Sequence, residues 1–273
     1  ITRWAYSWKM QFNPDITKQA IEVIFSYKIK KPSHPILTFN GIPVARKDPT
    51  KHIGLILDEK LNFRKYIKEA LTKAKNGLGM LKFISRFVSR DVLEKLYKMH
   101  IRPHLDYGDI IYHGQLQENT DLVESIQYQA ALIVTNCWKS TSKEKLYDEL
   151  GWENLNDRRY YRRLVMYYKI KHNLTPEYLK PYLDNCHPGR TSRFNQSFFP
   201  YCSLQWNSLS ESMTNLPTLS RFKKELIQTI RPERKPTFGI IDKYGLSLLT
   251  PLRIDFNDLR EYRYRRSFHC SSP

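Results

Sequence analysis

The stretch HLDYGDIIYHG, residues 104–114, sets two carboxylates, Asp106 and Asp109, around a Tyr-Gly pair inside an apolar run. Two-metal phosphoryl transfer needs carboxylates converging on ions about 3.5–4 Å apart, normally with a further acid from another element. Three residues apart on a helix, these two share a face with β-carbons about 5–6 Å apart. No third acid stands near them, so the spacing favours a structural part: one carboxylate capping the helix after Pro103, or pairing with Arg102.

Other chemistry finds less support. None of the histidines has metal-site spacing, and His100 and His104, four apart, have Pro103 between them. There is no GxSxG and no glycine loop of the kind that cradles phosphates, so an autonomous hydrolase, NTPase or dehydrogenase has no basis. Cys137, Cys186, Cys202 and Cys270 are widely spaced, without a CxxC pair or a signal peptide ahead of them. A reducing, intracellular setting is expected.

The basic clusters are more informative. Lys and Arg number 45 against 27 Asp and Glu, a formal net charge of +18, for which a polyanion is the natural partner. No apolar run of membrane-spanning length exists, so nucleic acid is favoured over an anionic membrane. In NDRRYYRRLVMYYKIKH, Arg158 lies over Arg162 and Arg159 over Arg163 at i,i+4, with Lys171 two turns on and Tyr160, Tyr161, Tyr167 and Tyr168 interleaved. Guanidinium forks suit phosphates, and aromatic faces either stack on bases or pack inward. The tyrosines read more readily as core; for the arginines, phosphate contact and pairing with Glu153 or Asp157 both remain open. LREYRYRRSF adds Arg263, Arg265 and Arg266.

The elements positioning these residues are read from periodicity. The expected fold is mainly α (α+β): a small N-terminal antiparallel β unit, then a helical bundle, then a basic helical C-terminal region. IEVIFSY (21–27) suits a largely buried strand, Asn40-Gly41 a hairpin turn, and HIGLILD a third strand. From Leu61, Phe63, Ile67, Leu71, Ala74, Leu78 and Leu81 predict a helix. A second starts at Ser89 and ends or kinks at Pro103. A third spans about 119–135 on a stripe of Leu122, Ile126, Ala130 and Ile133. A fourth has Thr141 and Glu144 in capping-box spacing and ends at Gly151, and a fifth, about 156–173, starts at Asn156. A loop-rich stretch to about 216 precedes a helix on Leu219, Phe222, Leu226 and Ile230.

The order of segments is more specific than any one cluster. WKMQFNPDITKQAIEVIFSYK, KHIGLILDEKLNF, IRPHLDYGDIIY, ESIQYQAALIVT, EKLYDELGWENLNDRR and SFFPYCSLQWNSL resemble successive signatures of reverse transcriptases from jockey-like non-LTR retrotransposons. The resemblance is detailed from Arg3 to Leu183 and patchier beyond. It implies an RNA-directed DNA polymerase region: residues 1–58 the end of the palm with a primer-grip-like hairpin, 59–135 thumb-like helices on the template-primer, and 136–273 a basic C-terminal region. Lys18 lies near where such enzymes carry a lysine thought to assist chemistry. Lys51, His52 and Gly54 are implicated at the primer terminus, a plain edge hairpin being the alternative.

The family's paired catalytic aspartates would precede Ile1, so this segment is expected to be inactive alone, holding no cofactor of its own while the full-length enzyme uses Mg²⁺. Of the zinc knuckle that often ends the family, at most Cys270 is present, and one thiol does not hold zinc. RNA and DNA as template-primer, and the rest of the polymerase upstream, are the expected partners, in the nucleus. Two other readings stand beside this one: a stand-alone or decayed nucleic-acid-binding module, and an interaction protein for an acidic partner.

Overall fold

The β-prone runs near the N-terminus are each broken within a few residues by Pro, Gly or charge, and the sheets they build are correspondingly small. The computed structural model describes residues 2–10, 21–30, 33–39, 42–112, 120–184, 189 and 191–230. The chain divides into two units, Ile1–Lys68 and Glu69–Pro273.

The first unit holds a short helix α1 (Thr2–Ser7) and strands β1 (Ile21–Glu22), β2 (Thr38–Phe39), β3 (Ile42–Pro43), β4 (Ala45–Arg46), β5 (Thr50–His52) and β6 (Leu55–Leu57). β2 pairs antiparallel with β3, and β5 with β6, where Thr50 faces Leu57 and His52 faces Leu55. β1 instead pairs parallel with β4, an ion pair from Arg46 Nε to Glu22 Oε2 at 2.9 Å tying them. The buried strand expected over 21–27 is thus only two residues long. Its partner is equally short, and Phe25 and Tyr27 are exposed. Asn40-Gly41 lies outside the described residues.

The β5–β6 turn has Ile53 at φ +44° and Gly54 at φ +80°. Positive φ at both central residues suits the right-handed twist of a two-residue hairpin. A β-branched residue takes that conformation only at a cost, so Ile53 is the strained member.

The described residues of the second unit build helices and no strand, so the fold is mainly α with a small antiparallel component near the N-terminus. α2 (Arg64–Ile84) starts before the boundary and buries Ala74, Leu78 and Leu81 at the expected spacing. α3 (Arg90–Leu96) runs into a π-helical turn (Tyr97–Ile101) and then α4 (Arg102–Asp106). Pro103 therefore does not end the helix: the wide π turn opens the backbone just where its ring would crowd the preceding turn. Tyr107 then leaves the helical region, Gly108 turns the chain at φ +74°, and α5 (Asp109–Tyr112) follows.

α6 (Thr120–Thr135) buries Val123, Ile126, Ala130 and Val134, while Leu122, expected inside, is half exposed. Its inward face is rotated because Gln127 must also be inside. Gln127 accepts from the Tyr97 hydroxyl at 2.7 Å and donates to the Glu153 carbonyl at 2.6 Å. α7 (Lys143–Leu150) is capped by Ser142 rather than Thr141, and Gly151 closes it at φ +62°. α8 (Leu155–Lys171) is capped by Asn154 rather than Asn156. The Asn154 Oδ1 accepts from Asp157 N at 2.7 Å, and its amide donates back to the Asp157 carboxylate at 2.7 Å.

The stretch expected to be mainly loop is folded. After a 3₁₀ turn at Glu177–Leu179 come α9 (Pro181–Asp184), α10 (Ser192–Asn195), α11 (Phe198–Asn207) and α12 (Glu211–Thr214), then α13 (Leu219–Ile230). Cys202, Trp206, Met213, Phe222 and Leu226 from this region pack with Leu164, Val165, Tyr167 and Tyr168 of α8 as one core. α8 is thus the central helix of the region, and two of its four tyrosines are core.

Candidate nucleic-acid interface

Two sequence features read separately, the aspartates of 104–114 and the arginines of 158–163, meet in space. Arg158 is hydrogen-bonded to the Asp106 carboxylate and lies 3.7 Å from Glu153. Arg162 Nη1 donates to Asp109 Oδ2 at 2.8 Å and to the Asp106 carbonyl at 3.1 Å, with Asp106 Oδ1 at 3.7 Å. Arg102 stands 3.7 Å from Asp106, the pairing expected from sequence. The two carboxylates do not share one helix face, because the chain turns at Gly108 between them. Arg162 brings them together from the opposite element.

The physical reason lies in α8. Guanidinium groups in the first half of a helix oppose its dipole, whose positive end is at the N-terminus. Carboxylates from another element offset both the dipole and the mutual repulsion. Burial pushes the Asp109 carboxyl above its ordinary value, with Arg162 opposing that shift and Asp106 adding to it. Such a cluster cross-links α4 and α5 to α8. It leaves Asp106 and Asp109 engaged by cations, and among the described residues no three His, Cys, Asp or Glu side chains group as metal ligands.

Arg159 and Arg163 lie on the adjoining, buried face of α8. Both are 1% exposed; Arg159 reaches the Leu105 carbonyl, and Arg163 the Gln196 carbonyl while stacking on Tyr201 at 4.3 Å. Of the arginines predicted to contact phosphate, these two lie inside the protein, Arg159 under the α4 backbone at Leu105 and Arg163 under Gln196 and Tyr201. Lys171 is exposed at the end of α8, its ammonium 5.0 Å from the Trp206 ring. Lys51, His52 and Gly54 are exposed on the β5–β6 hairpin of the first unit. Lys18, Arg263, Arg265 and Arg266 lie outside the described residues.

A cationic surface overlooked in the sequence lies on α2. Thr72, Lys75, Gly79 and Lys82, then Arg86 in the turn beyond, recur at three- and four-residue steps and are all exposed. Lys73 is taken up by Glu69 at 2.6 Å, but no carboxylate among the described residues pairs with Lys75, Lys82 or Arg86. A Cβ placed on Gly79 would meet nothing within 4 Å, so the stripe is open at its centre. The opposite side is tight: a Cβ on Gly77 would lie 2.9 Å from Ile101 Cγ1. The three-four spacing of Lys75, Lys82 and Arg86 was the available signal, hidden by the stronger Arg-Arg repeats of α8.

With this geometry in hand, the chain compares as a mainly α, cationic protein distantly related to reverse transcriptases. It is similar to the probable RNA-directed DNA polymerase from transposon X-element of Drosophila melanogaster, 23% identical over 175 residues, which is 60% of this chain and 18% of that protein. The chain thus spans less than a fifth of that relative's length. No family model matches it, and no solved structure matches it. Among the described residues no helix is long and apolar enough to cross a membrane.

Proposed function

We propose that this chain is the C-terminal part of the reverse transcriptase of a jockey-like non-LTR retrotransposon and that it holds the template-primer. The open stripe of Lys75, Lys82 and Arg86 on α2 carries the reading. Cations at one-to-two-turn intervals, not consumed by the protein's own acids, match a phosphodiester backbone, and Gly79 between them permits close approach. The relationship to the X-element polymerase supports the same reading.

Under it, residues 1–58 are the end of the palm, 59–135 the thumb, and 136–273 the basic C-terminal region. Lys51, His52 and Gly54 touch the primer terminus, and Lys171 adds positive surface. Arg158 and Arg162 keep partial access to solvent and contribute at the margin of their carboxylate pairs. Arg263, Arg265 and Arg266 belong to the basic region, Lys18 assists chemistry, and the metal-binding aspartates with their Mg²⁺ belong to a preceding part of the polymerase acting in the nucleus.

The test is binding of an RNA–DNA hybrid by the full chain across a salt series. Each phosphate contact contributes about 0.9 to the slope of log K against log salt. The Lys75→Ala, Lys82→Ala, Arg86→Ala triple variant is expected to flatten that slope by roughly three and to weaken binding tenfold or more at low salt. Absence of hybrid affinity in the parent chain at low salt would sink the proposal.

A further inference from the structure

Arg159 and Arg163 stand one turn apart on the inner face of α8, each 1% exposed. Among the described residues each makes a single long bond to a main-chain oxygen, from Arg159 Nη2 to Leu105 at 3.4 Å and from Arg163 Nη2 to Gln196 at 3.3 Å. The Nε and Nη1 groups of both are buried without an acceptor among the described residues. The carboxylates around α8 make their ion pairs with other arginines, Asp106 with Arg102 and Arg158, Asp109 with Arg162, and Glu153 with Arg158, while Arg159 acts on Asp109 only through the longer-range charge interaction. Tyr201 and Phe198, 4.3 and 5.9 Å from the Arg163 guanidinium, lend their ring faces to the cation but accept nothing from its in-plane N–H groups.

A buried guanidinium with unsatisfied donors is costly, and two on neighbouring turns repel each other as well. We propose that Arg159 and Arg163 together bind one phosphate group. A tetrahedral oxyanion has enough oxygens to accept from two guanidinium forks at once, whereas a carboxylate fills one. Its charge cancels the local excess that Asp106, Asp109 and Glu153 leave. Gln196, Phe198 and Tyr201, which close over Arg163, are held in turn by the segment before them. The Asn195 side chain accepts from Gly189 N at 2.7 Å and donates to the Gly189 carbonyl at 3.0 Å. This site lies on the inward face of α8 and does not depend on the α2 stripe.

Equilibrium dialysis of the full chain against radiolabelled inorganic phosphate, at ionic strength held constant with chloride, tests the assignment, with thermal melting in parallel. Saturable binding near one equivalent, with a melting temperature rising with phosphate, is expected. Arg163→Lys keeps the charge and loses the fork; it should weaken binding at least tenfold, and the Arg159→Met/Arg163→Met variant should abolish it. If the double variant does not fold, Arg163→Lys alone decides. Lys139→Ala, an exposed lysine after α6, should bind as the parent does.

Displacement of phosphate by a short single-stranded oligonucleotide would make the natural source a polynucleotide ester, and lack of displacement a free phosphate; either supports the site. No saturable binding, or equal binding in Arg163→Lys, means an adventitious ion only and overturns it. The α2 triple variant should keep phosphate while losing the hybrid, so failure here and failure of the polymerase reading are told apart.

Discussion

α8 and α2 are both rich in cations and put them to opposite use. On α8, Arg158 and Arg162 are held by Asp106 and Asp109 while Arg159 and Arg163 are buried against carbonyls and aromatic rings. On α2 and the turn after it, Lys75, Lys82 and Arg86 face outward with no carboxylate partner among the described residues. The density of positive charge along the chain is therefore a poor guide to where a polyanion would sit. What counts is the charge left over after the fold has matched its own acids.

The contrast can be broken by substitution. The largest effect is expected at Asp106, whose loss leaves Arg158 without its main partner and weakens the hold on Arg102 and Arg162. Asp106→Ala should cost about 3–5 kcal/mol in urea denaturation, while Lys75→Ala, on the open face, should stay within about 0.5 kcal/mol. Equal costs would mean that the α8 cluster is no more structural than the α2 stripe.

The two sides of α2 provide a finer test. Gly77→Ala drives a methyl into Ile101, and overpacking of about 1–3 kcal/mol outweighs the helix-propensity gain, for a net loss of about 1–2 kcal/mol. Gly79→Ala meets open space and should gain up to about 1 kcal/mol. A loss at Gly79 in thermal or chemical denaturation would show that the outward face is covered.

The smallest change is in pH dependence. The folded Asp109 carboxyl titrates above its ordinary value of 3.8 because it is buried. Above that value the unfolded chain has lost the proton that the folded chain still holds, so this group's contribution to stability falls as pH rises through the folded value. The melting temperature of the parent relative to Asp109→Asn should decline across that window and level off above it. A difference that grows with pH would mean that Arg162 outweighs burial.

Much of the architecture was readable from the order of residues. The 3.6-residue spacing in α2 and α13 survives into the structure because each helix buries one stripe, and Gly151 ends α7 in the left-handed conformation that glycine takes most easily. Caps were harder: neighbouring Thr141 and Ser142, or Asn154 and Asn156, offer similar side-chain oxygens, and the helix entry angle selects between them. The helices between 177 and 214 were missed because most are a single turn. Only α11 is longer than one turn, and its aromatics do not form one stripe: Phe198, Tyr201 and Trp206 pack on the α8 core while Phe199 stacks on Tyr182.

Composition and motif order by themselves determined that this protein is mainly helical, strongly cationic and built of segments resembling those of a reverse transcriptase. All three are properties of composition and local pattern, which the chain carries without any partner. Tertiary structure alone decided that Asp106 and Asp109 serve α8, that Arg159 and Arg163 turn inward, and that Lys75, Lys82 and Arg86 find no carboxylate among the described residues. Those outcomes depend on which helix faces meet across some fifty residues of sequence, and charge pairing at that separation leaves no local periodicity to read.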